Sequence, residues 1–402
     1  MYCTQPVTED IYYVGAADRR LALFENMFPI PRGVSYNSYV ILDEKTMLLD
    51  TVDRSVGDRF RENLEQVLQG RALDYVVVNH MEPDHCATLA EVLGRWPGAQ
   101  VVGTAKTITL ISQFYDMDVS DRCVIVKEGD TLSTGRHTFT FLMAPMVHWP
   151  EVMVTYDTTE KILFSADAFG TFGALNGNLF ADQVNFERDW LDDARRYYTN
   201  IVGKYGPQVQ ALLKKAAGVE IAMICPLHGP IWRENTAWFV EKYQLWSTYT
   251  PEDRTAAIFC GSIYGHTENA AEIVANRLAE RGVRNIALYD VAQTDLSQLV
   301  GEAFRCSHLV FASATYNNGL FTPMETLLLD LKAHNLQNRT VALVENGSWG
   351  PQAGKLMGEL VSGMKNMTVL ETSVTLKSAV KTEQREALEA LADTLAADIL
   401  QG

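Results

Sequence analysis

Histidine and carboxylate side chains gather in four places along the chain, each after an apolar run typical of a buried strand. The densest is NHMEPDHCAT at residues 79–88, which follows the run YVVV at residues 75–78. The others are APMVHWP at 144–150, FSADAFG at 164–170 and ICPLHGP at 224–230. Together they supply seven candidate metal ligands: His80, Glu82, Asp84, His85, His148, Asp167 and His228.

These residue types indicate a metal centre. Burying charged groups is costly unless a partner such as a cation compensates them. Seven ligands are too many for one tetrahedral ion and suit two ions, roughly 3.5–4 Å apart, that share a bridging carboxylate. Imidazole and carboxylate donors favour iron, manganese or zinc over soft metals. On an extended segment His80, Glu82 and Asp84 would share one side, with a turn bringing His85 inward.

Three polar loops in the second half follow predicted strands: GSIYGHTEN at 261–269, SATYNNG at 313–319 and ENGSWG at 345–350. In the first loop, two hydroxyls and the backbone N–H groups of residues 263–267 can bind a phosphate at a helix N-terminus. An ordinary capped turn explains that loop equally well when it is taken alone. Neither GxxxxGK nor GxGxxG occurs, which argues against a triphosphate loop and a Rossmann dinucleotide site.

The second and third loops favour a ligand with an aromatic ring. Tyr316 and Trp349 could cover such a ring, while Asn317 and Asn346 could bond its polar edge. The candidate binding residues are Ser262, Ile263, Tyr264, Gly265, His266, Thr267, Ser313, Ala314, Thr315, Tyr316, Asn317, Asn318, Gly319, Asn346, Gly347, Ser348, Trp349 and Gly350.

The elements that position the metal candidates are short strands interleaved with helices. Strands are predicted at 39–42, 47–52, 74–78, 101–103, 138–143, 153–156, 162–165 and 221–225. Helical patterns cover 53–70, 186–217 and 235–246. Many strands with helices outside them predict a layered α/β or αββα domain.

The second half alternates regularly between strands and helices. Strands are predicted at 255–260, 285–291, 308–313, 341–345 and 368–376, and helices at 268–281, 296–306, 323–334, 352–364 and 383–400. Five such βα units predict an open, doubly wound parallel sheet. The polar segment STYTPEDR at 247–254 marks the boundary, giving domains at 1–249 and 254–402.

Composition narrows the class of protein. The chain has 402 residues, 47% of them hydrophobic, and a net charge of −16, which argues against nucleic-acid binding. Six scattered cysteines without a CxxC pair indicate no zinc ribbon, rubredoxin-type iron site or disulfide framework. We find no signal peptide and no apolar stretch long enough to span a membrane, so a cytoplasmic location is expected.

The ligand pattern resembles the metallo-β-lactamase superfamily. The pattern is His80-x-Glu82-x-Asp84-His85 followed by one histidine, one aspartate and one histidine, whereas the hydrolases of that superfamily carry a second histidine at the position of Glu82. That replacement is typical of the flavodiiron proteins. The resemblance implies one iron held by His80, Glu82 and His148. It implies a second held by Asp84, His85 and His228, with Asp167 bridging; in some members the residue at the His85 position does not bind iron.

The three loops of the second half resemble the FMN-binding loops of flavodoxins, so the resemblance covers both halves. It implies an oxidoreductase with two irons and FMN that reduces O2 to water, NO to N2O, or both. It also implies a tyrosine near the irons at Tyr198, and a head-to-tail homodimer or homotetramer. The implied electron donor is a separate rubredoxin or, alternatively, a reduced deazaflavin. We expect no additional rubredoxin or flavin reductase domain, since the sequence ends at residue 402 without either.

Two other functions fit parts of the sequence. One is a dizinc hydrolase of the metallo-β-lactamase type with a flavodoxin accessory domain, which Glu82 disfavours. The other is an electron carrier with a vestigial metal site, which the complete ligand set disfavours. His137, His308 and His334 have no neighbouring ligand candidates and are interpreted as structural.

Overall fold

The computed structural model describes residues 2–401, and these form two compact units. One unit comprises residues up to 198 together with 207–244, and the other comprises 199–206 together with 245 onward. The second unit thus includes a short segment that is distant in sequence. The predicted domain boundary at 249/254 stays a proposal.

The first unit contains sixteen strands and eight helices. The strands are β1 (Gln5–Pro6), β2 (Ile11–Tyr13), β3 (Ala16–Asp18), β4 (Leu23–Phe24), β5 (Phe28–Pro29), β6 (Val34–Tyr36), β7 (Tyr39–Leu42), β8 (Thr46–Leu49), β9 (Tyr75–Val77), β10 (Gln100–Gly103), β11 (Cys123–Ile125), β12 (Thr131–Ser133), β13 (Thr138–Met143), β14 (Met153–Asp157), β15 (Ile162–Phe164) and β16 (Met223–Cys225). The helices are α1 (Gly57–Leu68), α2 (Pro83–Cys86), α3 (Leu89–Arg95), α4 (Ala105–Phe114), α5 (Phe186–Asp189), α6 (Leu191–Tyr197), α7 (Gly206–Ala216) and α8 (Thr236–Ser247), whose last residues belong to the second unit. Short 3₁₀ turns lie at Arg54–Val56, Ser120–Arg122 and Ala181–Gln183, and a fourth turn, Gly203–Tyr205, belongs to the second unit.

Two sheets form the core of this unit. One has the order β1-β2-β7-β8-β9-β10-β11 and the other β12-β13-β14-β15-β16. The central strands β8, β9, β14 and β15 are buried at every position, as expected for sheets covered on both faces. The ring of Tyr39 on β7 lies 5.4 Å from that of Phe164 on β15, so the inner faces of the two sheets are in contact. This is the predicted αββα arrangement.

The helical pattern predicted at 186–217 is interrupted. It comprises α5, α6, a π-helical turn at Tyr198–Val202, a 3₁₀ turn and α7. Gly203, Gly206 and Pro207 lie where the segment changes helix type. Glycine and proline weaken a continuous α-helix, because one adds backbone freedom and the other removes a backbone donor.

The second unit is a doubly wound sheet. Its strands are β17 (Asp253–Gly261), β18 (Ala287–Asp290), β19 (Cys306–Tyr316), β20 (Gly319–Leu320), β21 (Thr340–Asn346), β22 (Thr368–Val369) and β23 (Val374–Leu376). Its helices are α9 (His266–Glu280), α10 (Leu296–Arg305), α11 (Thr322–Ala333), α12 (Ala353–Ser362) and α13 (Thr382–Gln401). The order is β18-β17-β19-β21-β22, all parallel, with β23 also parallel to β21. The predicted strand at 368–376 is thus two short strands.

Because the side chains of each strand point alternately to the two faces of this sheet, a hydrophobic core forms on each face. On β17, Ala257 and Phe259 join the cluster beneath α10, α11 and α12. Ala256, Ile258 and Cys260 join the cluster beneath α9 and α13. Successive strand residues point to opposite faces, so one apolar run serves both cores.

A buried guanidinium ties residue 249 into the second unit. Arg339, 2% exposed, donates to the carbonyl oxygens of Tyr249, Ala303 and Phe304. The hydroxyl of Tyr249 in turn donates to the carbonyl of Gly203 at 3.0 Å. The residues just before the predicted boundary therefore pack as part of this unit. Across residues 2–401, no helix has the length and apolar character needed to span a bilayer.

Candidate functional site

The candidate metal ligands lie in loops at the ends of strands of the first unit. His80 and Glu82 follow β9, His148 lies between β13 and β14, and Asp167 follows β15. His228 follows β16, which runs parallel to β15, so these two strands present their loops at the same edge.

The segment after β9 is not extended throughout, which corrects the sequence prediction. Pro83 begins the short helix α2, and Asp84 and His85 lie on it. Proline is favoured at the first helical position because its fixed φ suits a helix and its missing N–H has no helical partner there. The turn directs His80 and Glu82 to one group of donors and Asp84 and His85 to another.

The first donor group comprises His80, Glu82, His148 and Asp167. The Nε2 atom of His80 lies 3.2 Å from Oε2 of Glu82 and 3.4 Å from Oδ2 of Asp167. The Nε2 atom of His148 lies 2.9 Å and 3.2 Å from the same two oxygens. Donor atoms about 2.1 Å from one metal ion lie roughly 3.0–3.4 Å apart at octahedral or tetrahedral angles, so this spacing fits a shared ion.

The second donor group comprises Asp84, His85 and His228, and the other oxygen of Asp167 reaches it. Oδ1 of Asp167 lies 3.0 Å from Nε2 of His85 and 3.6 Å from Nε2 of His228. The Asp84 carboxylate lies 3.4 Å and 3.2 Å from these nitrogens. One carboxylate therefore faces both groups with different oxygens, which is the geometry of a bridging ligand.

Several of these atoms are buried without a hydrogen-bond partner among residues 2–401. They are both carboxylate oxygens of Asp84, both ring nitrogens of His85, Oδ1 of Asp167 and Nε2 of His228. Buried polar groups in folded proteins are nearly always satisfied. Apart from Nδ1 of His85, these orphaned atoms all face the second donor group and are the atoms expected to bind a metal ion there. Together with the spacing of the first group, they fit a dinuclear centre.

The electrostatics of the cluster favour cations. Burial lowers the pKa of His148, but hydrogen bonds and charge contacts with Asp167 and Glu82 raise it to about 9. Burial likewise opposes the charged form of His80, yet the charge of Asp167 and hydrogen bonds to carboxylates hold its pKa well above the ordinary value. The carboxylates thus stabilise positive charge where a metal ion would add it, and a metal must displace these protons.

The three loops of the second unit surround a cleft of about 570 Å³ at the carboxyl ends of β17, β19 and β21. Tyr264 and Trp349, at its rim, are 89% and 91% exposed, and Tyr316 is half exposed. Large exposed aromatic side chains around a cleft mark a ligand site. The first loop ends at α9, whose N-terminal N–H groups can bind a phosphate.

A fourth loop, which we did not predict, completes this cleft. Ser378, after β23, lines it and joins the other loops by hydrogen bonds. Its backbone N–H donates to Oδ1 of Asn346 at 3.0 Å, and its carbonyl accepts from Nδ2 of Asn346 at 2.9 Å. Asn346 also contacts the hydroxyl of Thr267 at 3.3 Å. The first, third and fourth loops are therefore linked through one amide.

Fifteen of the eighteen residues predicted for this site line the cleft, and Gly265, Ser313 and Gly319 do not. Gly265 precedes α9 with a φ of 85° and donates its N–H to the Ser262 hydroxyl at 3.0 Å. Ser313 is fully buried, and Gly319 pairs with Tyr316 in the β19–β20 hairpin. These three residues shape the loops instead of lining the cleft.

Comparison with known proteins agrees with the two-part fold. Residues 34–229 match the ODP family of beta lactamases, and residues 258–391 match the flavodoxin family. Two curated relatives are called anaerobic nitric oxide reductase flavorubredoxin. The protein from Aeromonas hydrophila is 31% identical over 349 residues, which is 85% of this chain and 70% of the relative. The protein from Shigella flexneri is 31% identical over 388 residues, which is 95% of this chain and 79% of the relative.

Solved structures show the same relationship over almost the whole chain. The rubredoxin oxygen:oxidoreductase of Desulfovibrio gigas superposes with a TM-score of 0.91 at 28% identity, covering 99% of this chain and 98% of that one. The flavodiiron protein of Giardia intestinalis superposes with a TM-score of 0.93 at 25% identity, covering 99% and 97%. The chain belongs to the flavodiiron protein family. It is therefore an oxidoreductase with a metallo-β-lactamase-like and a flavodoxin-like part, and its family implies FMN and a diiron centre as cofactors.

Hydrogen bonds behind the candidate metal ligands of this flavodiiron protein orient them. The buried carboxylate of Asp50 accepts from the backbone N–H and the side-chain amide of Asn79, both at 2.7 Å, and from the N–H of His80 at 3.2 Å. Glu151 accepts from Nδ1 of His80, and the carbonyl of Ser35 accepts from Nδ1 of His228. Such outer contacts fix which imidazole nitrogen faces the metal.

Tyr197, not Tyr198, lies beside the donor groups. The ring of Tyr197 is 5.5 Å from that of His228. The ring of Tyr198 instead packs edge-on against Tyr243 at 5.0 Å. Neighbouring residues on a helix point about 100° apart, so only one of two adjacent tyrosines can face the site. The structure thus places Tyr197 beside the donor groups, and a role for Tyr198 stays a prediction.

A third cluster of potential ligands in this flavodiiron protein, Asp10, His137 and Glu160, has its own ionic partners. Nδ1 of His137 lies 2.7 Å from Asp157, and its Nε2 lies 2.9 Å from Asp10. Arg136 contacts both Asp10 and Glu160. Burial lowers the pKa of His137, but the hydrogen bonds and charges of Asp157 and Asp10 raise it to about 9. This cluster is a closed ion network, in keeping with the structural role predicted for His137.

Proposed function

We propose that this protein reduces dioxygen to water, nitric oxide to nitrous oxide, or both, at two irons in the first unit, with electrons supplied through FMN in the second. The observation that carries the proposal is the Asp167 carboxylate, whose two oxygens face two separate sets of histidine and carboxylate donors. The proposed ligands are His80, Glu82, His148, Asp167, Asp84, His85 and His228.

Glu82 supports iron in place of zinc. Its Oε2 atom lies 2.9 Å from Nε2 of His148 and 3.2 Å from Nε2 of His80. In the hydrolases that this fold resembles, a histidine takes the place of Glu82, so that the first donor group has three imidazoles instead of two. An added carboxylate is a hard anionic donor that stabilises a ferric ion, whereas zinc has no redox chemistry. The cluster is therefore suited to electron transfer.

The electron count agrees with a two-cofactor enzyme. Reducing O2 to two waters takes four electrons and four protons, and reducing two NO to N2O and water takes two of each. Two irons at this site would supply two electrons by passing from ferrous to ferric, and FMN would carry two more. The polypeptide contributes binding and orientation. The first loop and the start of α9 would hold the phosphate, and the exposed rings of Tyr316 and Trp349 would cover the flavin.

The donor, assembly and location follow from the family resemblance and stay predictions. A separate rubredoxin is the proposed donor, in line with the activity named for the Desulfovibrio gigas relative. Reduced deazaflavin is the alternative. We also propose a head-to-tail homodimer or homotetramer in the cytoplasm.

Gas consumption by quantified protein tests this function. Natively purified protein is assayed for iron, zinc and FMN, reduced without oxygen, and followed with oxygen and nitric oxide electrodes side by side. We expect about two irons and one FMN per chain and consumption of at least one gas. The matched control is the same preparation after iron removal, which should keep FMN and lose gas consumption.

Each contrary outcome has a definite meaning. Zinc in the native protein together with ester hydrolysis would establish the dizinc hydrolase. Full iron and FMN occupancy without consumption of either gas would leave an electron carrier and reject the reductase.

A further inference from the structure

The imidazoles of the two donor groups differ in what lies behind them. Nδ1 of His80, in the first group, pairs with the Glu151 carboxylate at 2.8 Å, and both side chains are fully buried. Nδ1 of His228, in the second group, donates to the neutral carbonyl of Ser35 at 2.7 Å. Nδ1 of His85 has no hydrogen-bond partner among residues 2–401. Of these three imidazoles, only that of His80 has a carboxylate hydrogen-bonded to its Nδ1.

A carboxylate hydrogen-bonded to one nitrogen of an imidazole changes how the other nitrogen binds a metal ion. A carboxylate that accepts the Nδ1 proton fixes the tautomer, so that the Nε2 lone pair of His80 faces the cluster. It also makes that nitrogen a stronger base, and a stronger donor favours the more highly charged metal ion. A backbone carbonyl fixes the tautomer of His228 as well, but it adds no charge.

Glu151 is placed for this task more than for fold stability. Its Oε1 atom accepts from both His80 and the backbone N–H of Met81, at 2.9 Å for the latter. Its Oε2 atom is buried and has no hydrogen-bond partner within residues 2–401. A buried carboxylate oxygen without a partner is energetically unfavourable. Its negative charge is thus directed mainly at His80.

We propose that Glu151 is a positioning residue that makes the metal position of His80, Glu82 and His148 the tighter of the two and the one more readily held as ferric. This inference rests on the diiron site proposed above and adds that the two metal positions differ in affinity and in reduction potential. Oxidation of the fully reduced centre would begin at this position. The position held by Asp84, His85 and His228 would lose its metal first.

The test is the isosteric variant Glu151→Gln, which removes the charge and keeps an oxygen able to accept the two N–H groups. Loss of an outer carboxylate partner typically weakens metal binding 10–100-fold, and we expect a loss of this size at one of the two iron positions. The midpoint potential of one iron should rise, because a tenfold loss of preference for the ferric form equals 59 mV for one electron. Mössbauer spectra of 57Fe-loaded protein should change for one iron and not for the other.

Two further variants separate charge from packing. Asp157→Asn removes a carboxylate that pairs with a buried histidine, His137, at 2.7 Å but touches neither donor group, so it should leave potentials and iron release unchanged. Glu151→Asp keeps the charge in a shorter side chain and should lie between the wild type and Glu151→Gln. Thermal melting of the iron-free proteins reports any general loss of stability.

The outcomes distinguish this inference from the proposed function. A wild-type protein that binds no iron would reject the diiron function itself. A wild-type protein with both irons, together with equal potentials, iron release and Mössbauer parameters in Glu151→Gln, would overturn only the role of Glu151. A change in both irons of Glu151→Gln, or an equal change in Asp157→Asn, would also overturn it.

Discussion

Replacing Asp167 by asparagine should disable at least one of the two metal positions while leaving the flavin site intact. Asp167 is 1% exposed and its oxygens lie 3.0–3.6 Å from the Nε2 atoms of His80, His85, His148 and His228. Asparagine has nearly the same shape but presents one oxygen and one NH2 group. Because Oδ1 and Oδ2 face different donor groups, at most one metal position can keep its ligand.

The size of the effect follows from these distances. A unit charge pair at about 3.3 Å is worth roughly 5 kcal/mol at an effective dielectric constant of 20. Desolvation offsets part of this, and removing one partner of a buried ion pair typically costs about 3–5 kcal/mol. At about 1.4 kcal/mol per factor of ten, metal binding should weaken by roughly two to three orders of magnitude.

The assay measures iron and FMN per chain, the rate at which a chelator removes iron, and gas consumption after reduction. For Asp167→Asn we expect at most about one iron per chain, full FMN and no gas consumption. Asp157→Asn, which alters a buried carboxylate–histidine pair outside both donor groups, is the control and should behave as wild type in all three measurements. Should Asp167→Asn keep both irons and resist the chelator like the wild type, the bridging role would be refuted.

Three other results are expected. The raised pKa of His137, about 9 against an ordinary 6.5, means that its ion network with Asp157 stabilises the fold fully below about pH 6.5 and is lost as pH rises through about 9. The difference in urea midpoint between wild type and His137→Gln should therefore shrink from pH 6 to pH 9.5, and a constant difference would contradict the charge role. Thr267→Val removes a hydroxyl from the proposed phosphate loop, together with its 3.3 Å contact with Asn346. Because a lost hydrogen bond costs about 1 kcal/mol, the affinity for FMN, measured by flavin fluorescence, should fall roughly 5–10-fold. An unchanged affinity would exclude Thr267 from the site. Arg339→Met leaves three buried carbonyl oxygens without their donor. The free energy of unfolding of the second unit, measured in urea, should fall by about 3 kcal/mol or more. A change within about 0.5 kcal/mol would contradict the structural role.

The candidate ligands, which the structure brings together in two groups, could be found in the sequence because each follows a recognisable apolar strand and belongs to a short list of residue types. The strand at 39–42 and that at 138–143 were predicted to the residue. The five βα units were also found, since helix and strand periods differ clearly in that half. The short strands before residue 37 were missed, because segments of two or three residues carry too little periodicity to be detected.

Features set by tertiary contacts could not be predicted. No local signal distinguishes Tyr197 from Tyr198, since both belong to the same apolar helical pattern and only the rotation of the helix selects one. Glu151 is an isolated carboxylate in the sequence, and its pairing with His80 depends on two loops 71 residues apart that meet in space. Ser378 likewise reaches the cleft of the second unit because the last predicted strand divides into β22 and β23.

The hydrogen bond from Arg339 to the carbonyl of Tyr249 determines where the chain can be truncated to give a separate second unit. A recombinant flavin fragment that starts at residue 254 would discard the carbonyl that Arg339 binds and the aromatic ring that belongs to the adjacent apolar cluster. A fragment that starts at residue 245 would keep both. Attempts to obtain the flavin-binding half as a separate polypeptide should therefore place the start codon upstream of the tyrosine, and the yield of soluble yellow protein from the two versions would differ accordingly.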